Sequence, residues 1–397
     1  MSEWKKYKLG DLADITSSKR IFYSDYVMEG IPFFRSKEII ERSLGESGGE
    51  PLYISREKFT EIKNNFGAPV DGDLLISAVG ERAGIPYVVK NQGDFYFKDG
   101  NLIWLRNIKP ELNSAYLYYW IKSSIGQYTL ESIMIGSAQK ALTIVGLKSL
   151  GVTLPSSAYQ SLVVDILSSL DDKIDLLHRQ NKSLEQLAET LFRQWFVEEV
   201  GESWEKGTVN SLIEIQSGFA FKSTDFVGEG NYKLITIKNV QDGYLDLSKT
   251  DFINEIPNRM PKYCLLQKGD ILLSLTGNVG RCCLVTEENL FLNQRVAKLK
   301  ARKNRDWAFA YIMFRQTSVR RMLEELAKGT AQANLSPIET ANMEMQIPPN
   351  ELLEEYTEEA TPFLEKVLKN KKQINTLTQL RDSLLPKLMS GEVRIKN

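Results

Sequence analysis

The sequence predicts an α+β fold that is duplicated along the chain, with two mixed globular blocks each followed by a long helix. Three observations predict it: motifs that recur at nearly constant spacing, strand-like runs bounded by glycine turns, and a heptad pattern after each block. The chain has 397 residues, of which 42% are hydrophobic and 25% charged. Two or three domains with ordinary globular cores are therefore expected.

The internal repeat is the most informative feature. WKKYKLGDLADITSS near the start matches WEKGTVNSLIEIQSG 200 residues later, and GDLLISAVGERAG matches GDILLSLTGNVG at a spacing of 197. GSAQKAL matches GTAQANL at 193, and this spacing then holds from about Tyr118 to Leu191. Loops therefore differ between the blocks, whereas the helix after each block keeps its length. Simple gene duplication explains the repeat, but constant length favours a variable recognition block followed by a fixed spacer.

Each block begins with a short amphipathic stretch, which contains Leu9, Leu12 and Ile15 in the first copy and Val209, Leu212 and Ile215 in the second. Strand-like runs and then helices follow in a mixed α+β order. The expected strands are 31–34, 73–77 and 101–105 in the first block and 233–237, 270–275 and 295–300 in the second; the expected helices are about 114–133 and 307–327. The predicted domain boundaries are 1–153, 154–200, 201–348 and 349–397.

The two long helices are predicted to pair as an antiparallel coiled coil about a pseudo-twofold axis. Apolar residues recur at heptad positions from Gln160 to about Trp195 and again from Leu352 to about Leu388. One antiparallel register sets Asn181 against Asn370, and a buried Asn is tolerated best beside another Asn. The residues expected at this seam are Ile174, Leu177, Asn181, Leu184, Val367, Asn370, Ile374 and Leu377. The alternative is that each amphipathic helix packs only on its own block.

Several classes of chemistry are excluded or disfavoured. His178 is the only histidine, and it is expected to be a solvated residue on a helix flank, so a hydrolytic triad is improbable. The three cysteines are clustered in the second half and predict neither a disulfide framework nor a zinc site. No phosphate-binding glycine loop and no apolar run long enough to span a membrane occurs. The N-terminus lacks a secretory core and the cysteines form no disulfide framework, so we expect a cytoplasmic chain. Because these catalytic and metal-binding motifs are absent, we also expect a non-catalytic chain without its own metal or cofactor.

Polar and basic residues recur at comparable turns in both copies. The net charge is only −1, with 50 basic and 51 acidic residues, so tight DNA binding by charge alone is not expected. Arg, Lys, Asn and Gln side chains are nevertheless those that contact base edges and phosphates. Each one alone is more often a solvated surface group. The DNA-binding candidates are Lys19, Arg20, Arg35, Lys37, Arg82, Lys140, Lys222, Lys238, Asn239, Asn278, Arg281, Gln332 and Asn334.

The doubled order of these motifs resembles the specificity subunits of type I restriction–modification systems. The resemblance covers essentially all 397 residues and includes the sequence LRDSLLPKLMSGEVRI after the second block. It implies two target recognition domains that each read one half of a split, asymmetric DNA sequence. It also implies that the two helices space these domains and dock two modification subunits, with restriction subunits in the full complex. The partners would supply S-adenosylmethionine-dependent adenine-N6 methylation and ATP- and Mg-dependent cleavage.

Two other functions fit the same repeat. The chain could be the specificity subunit of a stand-alone methyltransferase that lacks a restriction partner. It could also be a non-enzymatic adaptor that holds two protein partners through its duplicated domains.

Overall fold

The computed structural model describes residues 4–45, 49–136, 140–201, 204–328 and 334–393. The chain divides into two compact units: unit 1 comprises Met1–Asp172 and Leu377–Asn397, and unit 2 comprises Lys173–Thr376. Each unit takes one predicted block together with parts of both long helices. Across the described ranges, no helix is both long and apolar enough to cross a membrane.

Unit 1 contains two four-stranded sheets and one two-stranded sheet. The strands are β1 (Lys5–Lys8), β2 (Asp14–Thr16), β3 (Tyr26–Val27), β4 (Ile31–Phe34), β5 (Leu52–Ile54), β6 (Leu74–Ser77), β7 (Pro86–Val88), β8 (Tyr96–Phe97), β9 (Leu102–Arg106) and β10 (Gly151–Leu154). One four-stranded sheet is antiparallel and has the order β2-β9-β6-β7. The other has the order β3-β5-β4-β8 with a parallel pair β4–β8, and β1 pairs with β10.

Unit 2 repeats this plan, which agrees with the duplication seen in the sequence. Its strands are β11 (Glu205–Thr208), β12 (Ile213–Ser217), β13 (Tyr232–Ile235), β14 (Asp251–Ile253), β15 (Leu265–Leu266), β16 (Ile271–Ser274), β17 (Cys282–Leu284), β18 (Leu290–Leu292), β19 (Val296–Ala301) and β20 (Glu344–Ile347). The sheets have the orders β12-β19-β16-β17, β14-β13-β18-β15 and β11-β20, and the pair β13–β18 is again parallel.

The helices cover the predicted positions with two corrections. The helices are α1 (Leu9–Leu12), α2 (Ser36–Ser43), α3 (Arg56–Phe66), α4 (Ser114–Lys122), α5 (Ser124–Ile133), α6 (Ile144–Ser149), α7 (Ser157–Arg193), α8 (Trp307–Arg315), α9 (Thr317–Ala327), α10 (Pro337–Ala341) and α11 (Asn350–Ser390). The single helix expected at 114–133 is broken at Ser123, whose extended backbone and hydroxyl cap α5 through the Gly126 amide. The helix expected at 307–327 is broken in the same way at Gln316, whose backbone is also extended.

Within unit 2, α7 and α11 lie side by side with opposite directions. Asn370 Nδ2 donates to Asn181 Oδ1 at 2.8 Å, and Tyr356 Oη donates to the Ala188 carbonyl at 3.1 Å. As residue numbers rise along α7, those of their partners on α11 fall, so the two segments are antiparallel. The two asparagines share one layer, as the predicted register requires.

The remaining residues predicted at the seam are buried or partly buried. Ile174, Leu177, Val367 and Ile374 are buried, while Leu184 and Leu377 are partly buried. His178 is exposed, as expected for a solvated helix residue. A coiled coil that continues over the full length of both helices stays a prediction.

Within unit 1, the ends of the same two helices also run antiparallel. Tyr159 Oη donates to the Val393 carbonyl at 3.0 Å, and Arg381 Nη1 donates to Asp171 Oδ1 at 2.7 Å. Tyr119 Oη on α4 donates to the other Asp171 oxygen at 2.8 Å, so the globular part of the unit is tied to the helices by the same carboxylate.

The asparagine layer is a costly way to join two helices. Asn370 is fully buried, and its Oδ1 has no hydrogen-bond partner among the described residues, although its Nδ2 also reaches Gln180 Oε1 at 2.9 Å. A buried polar atom without a partner costs about 1–3 kcal/mol. We infer that the layer specifies the register at the expense of stability.

This cost predicts that a double substitution restores the free energy of unfolding that a single substitution removes. Asn370→Leu alone should lower the free energy of unfolding by about 1–3 kcal/mol, because it strands the buried Asn181 amide. Asn181→Leu combined with Asn370→Leu should recover this loss or exceed the wild type, because apolar pairs replace polar ones at little cost. Denaturant unfolding of all four proteins measures the coupling. Strictly additive effects of the two substitutions would contradict the shared layer.

Candidate nucleic-acid interface

In unit 2, three surface loops meet at the turn that joins β16 to β17. Thr276 Oγ1 in this turn donates to Asn334 Oδ1 at 2.9 Å, and Arg295 Nη1 donates to the same oxygen at 3.3 Å. The Leu335 amide donates to the Leu275 carbonyl at 2.7 Å and fixes the backbone of this contact. Arg295 and Asn334 are exposed, so these side chains form a fixed polar surface with donors still free to bind.

The other side of the same turn carries two more predicted residues. Arg281 donates to the Gln241 side chain, and Gln241 Nε2 donates to the Lys238 carbonyl at 2.7 Å. Asn278 is exposed at the tip, and with its amide oxygen turned toward Arg281 it accepts from Nη2 at 3.2 Å. The structure therefore brings Asn278, Arg281 and Asn334 together around one turn.

Unit 1 builds the equivalent surface around the turn that joins β6 to β7. The Gly80 amide donates to the Lys140 carbonyl at 3.1 Å, and Val79 bridges to Ala141, just as Thr276 bridges to Asn334 in unit 2. The exposed Arg82 lies in this turn. Its carbonyl accepts a hydrogen bond from the Ser77 hydroxyl, which fixes the shape of the turn. Arg82 and Lys140 thus occupy one surface, where Lys140 Nζ pairs with Glu131 at 3.3 Å.

Lys19 and Arg20 lie beside the unit 1 turn. Ser17 Oγ donates to the Leu102 carbonyl at 3.1 Å, and the neighbouring Asn101 carbonyl accepts from the Ala78 amide at 2.9 Å. Arg20 Nε pairs with Asp99 at 3.0 Å while 70% of its side chain stays exposed. Segment 17–20 therefore runs along the same edge as the β6–β7 turn.

A polar groove of about 570 Å³ opens next to Lys19. The Lys19 Nζ lies 4.3 Å from the centre of the Phe66 ring, and the Arg106 guanidinium lies 4.6 Å from that of Trp104. A cation over an aromatic face is attracted to the ring. The groove therefore holds positive charge beside β9, and Arg106 lies at the end of β9 away from the β6–β7 turn.

Arg35 and Lys37 are at a different place, the first turn of α2. Arg35 Nε donates to Glu38 Oε1 at 2.9 Å, and the Arg35 amide donates to Glu38 Oε2 at 2.7 Å. Burial opposes ionisation of Glu38, but the hydrogen bonds from Arg35 outweigh it and hold the pKa of this carboxyl below its ordinary value. Arg35 therefore stabilises the start of α2. Lys37 is 72% exposed and only loosely paired with Glu41 at 3.7 Å.

Asn239 does not fit the role predicted for it. Only 2% of this residue is exposed. Its Oδ1 accepts from the Thr236 amide and hydroxyl, both at 2.9 Å, and its Nδ2 donates to the carbonyls of Asp246 and Lys249 at 2.9 and 3.0 Å. The amide is fully used inside the protein, so Asn239 shapes the loop and its side chain does not reach DNA.

The other candidates are dispersed. Lys222 and Lys238 are exposed in loops of unit 2. Gln332 lies outside the described residues, as does most of each GSAQ-type loop (residues 137–139 and 329–333).

Sequence reasoning missed Thr276, Arg295 and Gln241. Arg295 is the first residue of the predicted strand 295–300 and could have been found as a basic residue at a strand end beside the candidate turns. Gln241 had no comparable signal, since its role depends on a loop folding back onto Arg281.

A buried ionic network joins the unit 2 surface to the long helices. Arg315, with 14% of its side chain exposed, pairs with Glu189 at 3.3 Å, Asp242 at 3.5 Å and Glu185 at 3.7 Å. Lys371 on α11 pairs with the same Glu185 at 3.4 Å and donates to the Gly243 carbonyl at 2.7 Å. Burial disfavours the Arg315 cation, but its anionic neighbours outweigh that penalty and raise its pKa above the ordinary value. The loop that carries Gln241 is thereby fixed against both helices.

Neither metal-binding nor thiol chemistry is evident at this surface. No cluster of three or more metal-ligating side chains occurs in the part of the chain that the structure describes. Cys264, Cys282 and Cys283 are free and buried, and burial raises the pKa of the Cys283 thiol to about 12. What the surface offers is a set of hydrogen-bond donors and cations, which suits a polyanion with exposed acceptors.

Comparison with known proteins places this fold in a family. The family described as the type I restriction modification DNA specificity domain matches residues 1–186 and 201–379. The type I restriction enzyme MjaIX specificity subunit of Methanocaldococcus jannaschii is 27% identical over 430 residues, which cover 99% of this chain and 94% of that protein. The HindI specificity subunit of Haemophilus influenzae is 21% identical over 474 residues, covering 99% of this chain and 100% of that protein.

The fold itself is also shared with a solved structure. The crystal structure of a type I restriction–modification S subunit from M. genitalium aligns with a TM-score of 0.62 at 18% identity, covering 98% of this chain and 96% of that one. The prediction of a specificity subunit, and not a catalytic chain, is confirmed by these matches. With the same domain matched in both halves, the chain belongs to the family of type I restriction–modification specificity subunits.

Proposed function

We propose that this chain reads a bipartite, asymmetric DNA sequence, with unit 1 recognising one half and unit 2 the other. The observation that carries the proposal is the equivalent meeting of loops in both units, Val79 with Ala141 and Thr276 with Asn334. The backbone contact is common to both, whereas the side chains around it differ. One backbone frame with two sets of side chains suits two half-sites of different sequence.

Family membership supports DNA specificity as the function, and the near-neutral charge supports a division of labour. With 50 basic and 51 acidic residues, this chain has little excess charge for phosphate binding. We propose that modification subunits supply much of the phosphate contact and that this chain selects bases. S-adenosylmethionine, ATP and Mg would be used by those partners and by restriction subunits, in the cytoplasm where the DNA lies.

Exchange of one block tests the bipartite target. Replacing residues 1–153 by the corresponding block of a relative, in the assembled methyltransferase, should change only one half of the methylated motif. Methylation-sensitive genome sequencing reads both halves at once. An unsplit motif, or changes in both halves, would contradict the proposal, and the absence of any sequence-dependent DNA binding would favour the adaptor function. Copurification without restriction subunits would indicate a stand-alone methyltransferase.

Arg295 provides a residue-level test. Arg295→Ala should weaken binding of the assembled complex to its target roughly ten- to a hundredfold and relax the preference in the half-site read by unit 2, because a guanidinium donor to DNA is lost. Competition binding against targets altered in either half measures both effects. Lys268→Ala is the matched control, since this exposed cation lies just before β16, at the opposite end of the strand from the turn. Equal loss in both variants would mean that only general charge matters.

Exposed aliphatic residues at equivalent positions support two equivalent partner subunits. Leu187 and Leu380, which are 193 residues apart, are 52% and 44% exposed, and Val145 and Ile338, also 193 apart, are 77% and 73% exposed. Each unit carries one member of each pair. A single exposed aliphatic residue is common, but exposed aliphatic residues at equivalent positions of both copies favour docking of the same protein twice.

Charge insertion at these leucines should change the stoichiometry in steps. Leu187→Arg and Leu380→Arg should each reduce the number of bound modification subunits from two to one, and the double variant should bind none, because a buried unpaired charge opposes docking. Native mass spectrometry of copurified complexes counts the subunits. Leu326→Arg, at a 40% exposed leucine in α9 without an exposed equivalent, is the control. Two bound subunits in the double variant would disprove this docking site.

A further inference from the structure

Segment 22–28 of unit 1 holds an unusual concentration of exposed apolar side chains. Phe22 is 62% exposed, Tyr23 87% and Met28 92%. Isolated exposed apolar residues are common, but several within one short segment mark a surface used for binding. We call Phe22, Tyr23 and Met28 the aromatic tip.

The turn that carries Phe22 and Tyr23 is held by hydrogen bonds and ring contacts. The Phe22 amide donates to Asp25 Oδ2 and the Asp25 amide donates to the Phe22 carbonyl, both at 2.9 Å. The Tyr23 ring packs edge-on against Tyr26 with 5.7 Å between ring centres, and Tyr26 packs against the buried Phe33 at 5.5 Å. A turn whose backbone is already fixed before binding loses little backbone entropy when it binds. These contacts suit a recognition element and not a loose loop.

The aromatic tip continues the candidate interface of unit 1. Phe22 follows Arg20 by two residues, and the Lys19 amide is anchored to the Tyr96 hydroxyl at 2.8 Å. Segment 17–20 borders the strand end at Leu102, next to the β6–β7 turn. Two of the three acidic groups nearby are engaged, since Asp25 accepts from the Phe22 amide and Asp99 pairs with Arg20. The third, Glu29, is exposed next to Met28.

Unit 2 has the same turn with different side chains. The Asp225 amide donates to the Lys222 carbonyl at 3.0 Å, as the Asp25 amide does to Phe22. The residues at the turn are Lys222, Ser223 and Thr224 in place of Phe22, Tyr23 and Ser24. The backbone is therefore kept, and only the chemistry of the exposed side chains differs between the units.

We propose that the aromatic tip contacts bases in the half-site read by unit 1, through apolar contact with base faces and thymine methyl groups. The inference rests on the proposed DNA-reading function and deepens it. Apolar side chains are used in both ways by DNA-binding proteins. A docked protein subunit is disfavoured as the occupant, because two copies of one partner need the same surface on both units, and unit 2 has a polar tip.

A graft between the two turns tests the proposal. The triple variant Phe22→Lys, Tyr23→Ser and Ser24→Thr gives unit 1 the polar tip of unit 2 on a backbone that already accepts it. In the assembled complex, this variant should bind the target roughly tenfold or more weakly, the scale of a lost aromatic contact with a base. It should also lose base preference in the unit 1 half-site only. Tyr23→Ser alone, at a position 87% exposed, should show the same direction without risk to folding.

Two control variants and the wild type separate the outcomes. Tyr23→Phe should retain binding, because it keeps the ring, and Val70→Ser should do so because this 58% exposed residue lies before β6, at the end remote from the turn. Unchanged affinity and motif in the graft and in Tyr23→Ser would overturn the inference. It would also be overturned if the graft variant failed to assemble with the modification subunits when no DNA is present. If the wild-type complex binds no bipartite target, the proposed function itself fails.

Discussion

The hydrogen bond between the buried amides of Asn181 and Asn370 is the constraint on which the arrangement of unit 2 depends. An aliphatic seam alone would tolerate a shift by one heptad, whereas a shift here would bury both amides against carbon at a cost of several kcal/mol. With the register fixed, Glu185 on α7 reaches Lys371 on α11 and Arg315 on α8 together. The position of the loop that carries Gln241 and Asp242 then follows from the helices.

The two units share a backbone plan and differ in the side chains displayed on it. Hydrogen bonds to the main chain, such as those of Ser77 and Asn239, hold the turns in shape. An exposed side chain such as that of Arg82 is not needed for that purpose and is free to differ. This separation between what holds a loop and what it presents is the physical basis for the proposal that one fold reads two unlike sequences.

Sequence patterns predicted the parts of the structure that repeat along the chain and those for which an alternative arrangement would be energetically unfavourable. The asparagine layer was predictable because a buried Asn has few acceptable partners, and the central strands were predictable because apolar runs were bounded by glycine turns. The breaks at Ser123 and Gln316 were not, because apolar periodicity continues across them and only the local backbone changes. The prediction for Asn239 was wrong because an Asn after a strand can either face solvent or close a loop. Which of the two occurs depends on carbonyl groups 7 to 10 residues further along the chain.

The ionic network around Arg315 limits which positions in the neighbouring loop of unit 2 can vary. Asp242 and Gly243 lie next to Gln241 in the chain, yet both contact cations that are tied to the helices. Substitutions at these two positions would disturb the packing of the loop on the helices. Under the proposed function, adaptive variation should therefore accumulate at exposed positions such as Asn278 and Asn334, so that a lineage can change its target while the core residues Leu275 and Val279 remain under purifying selection.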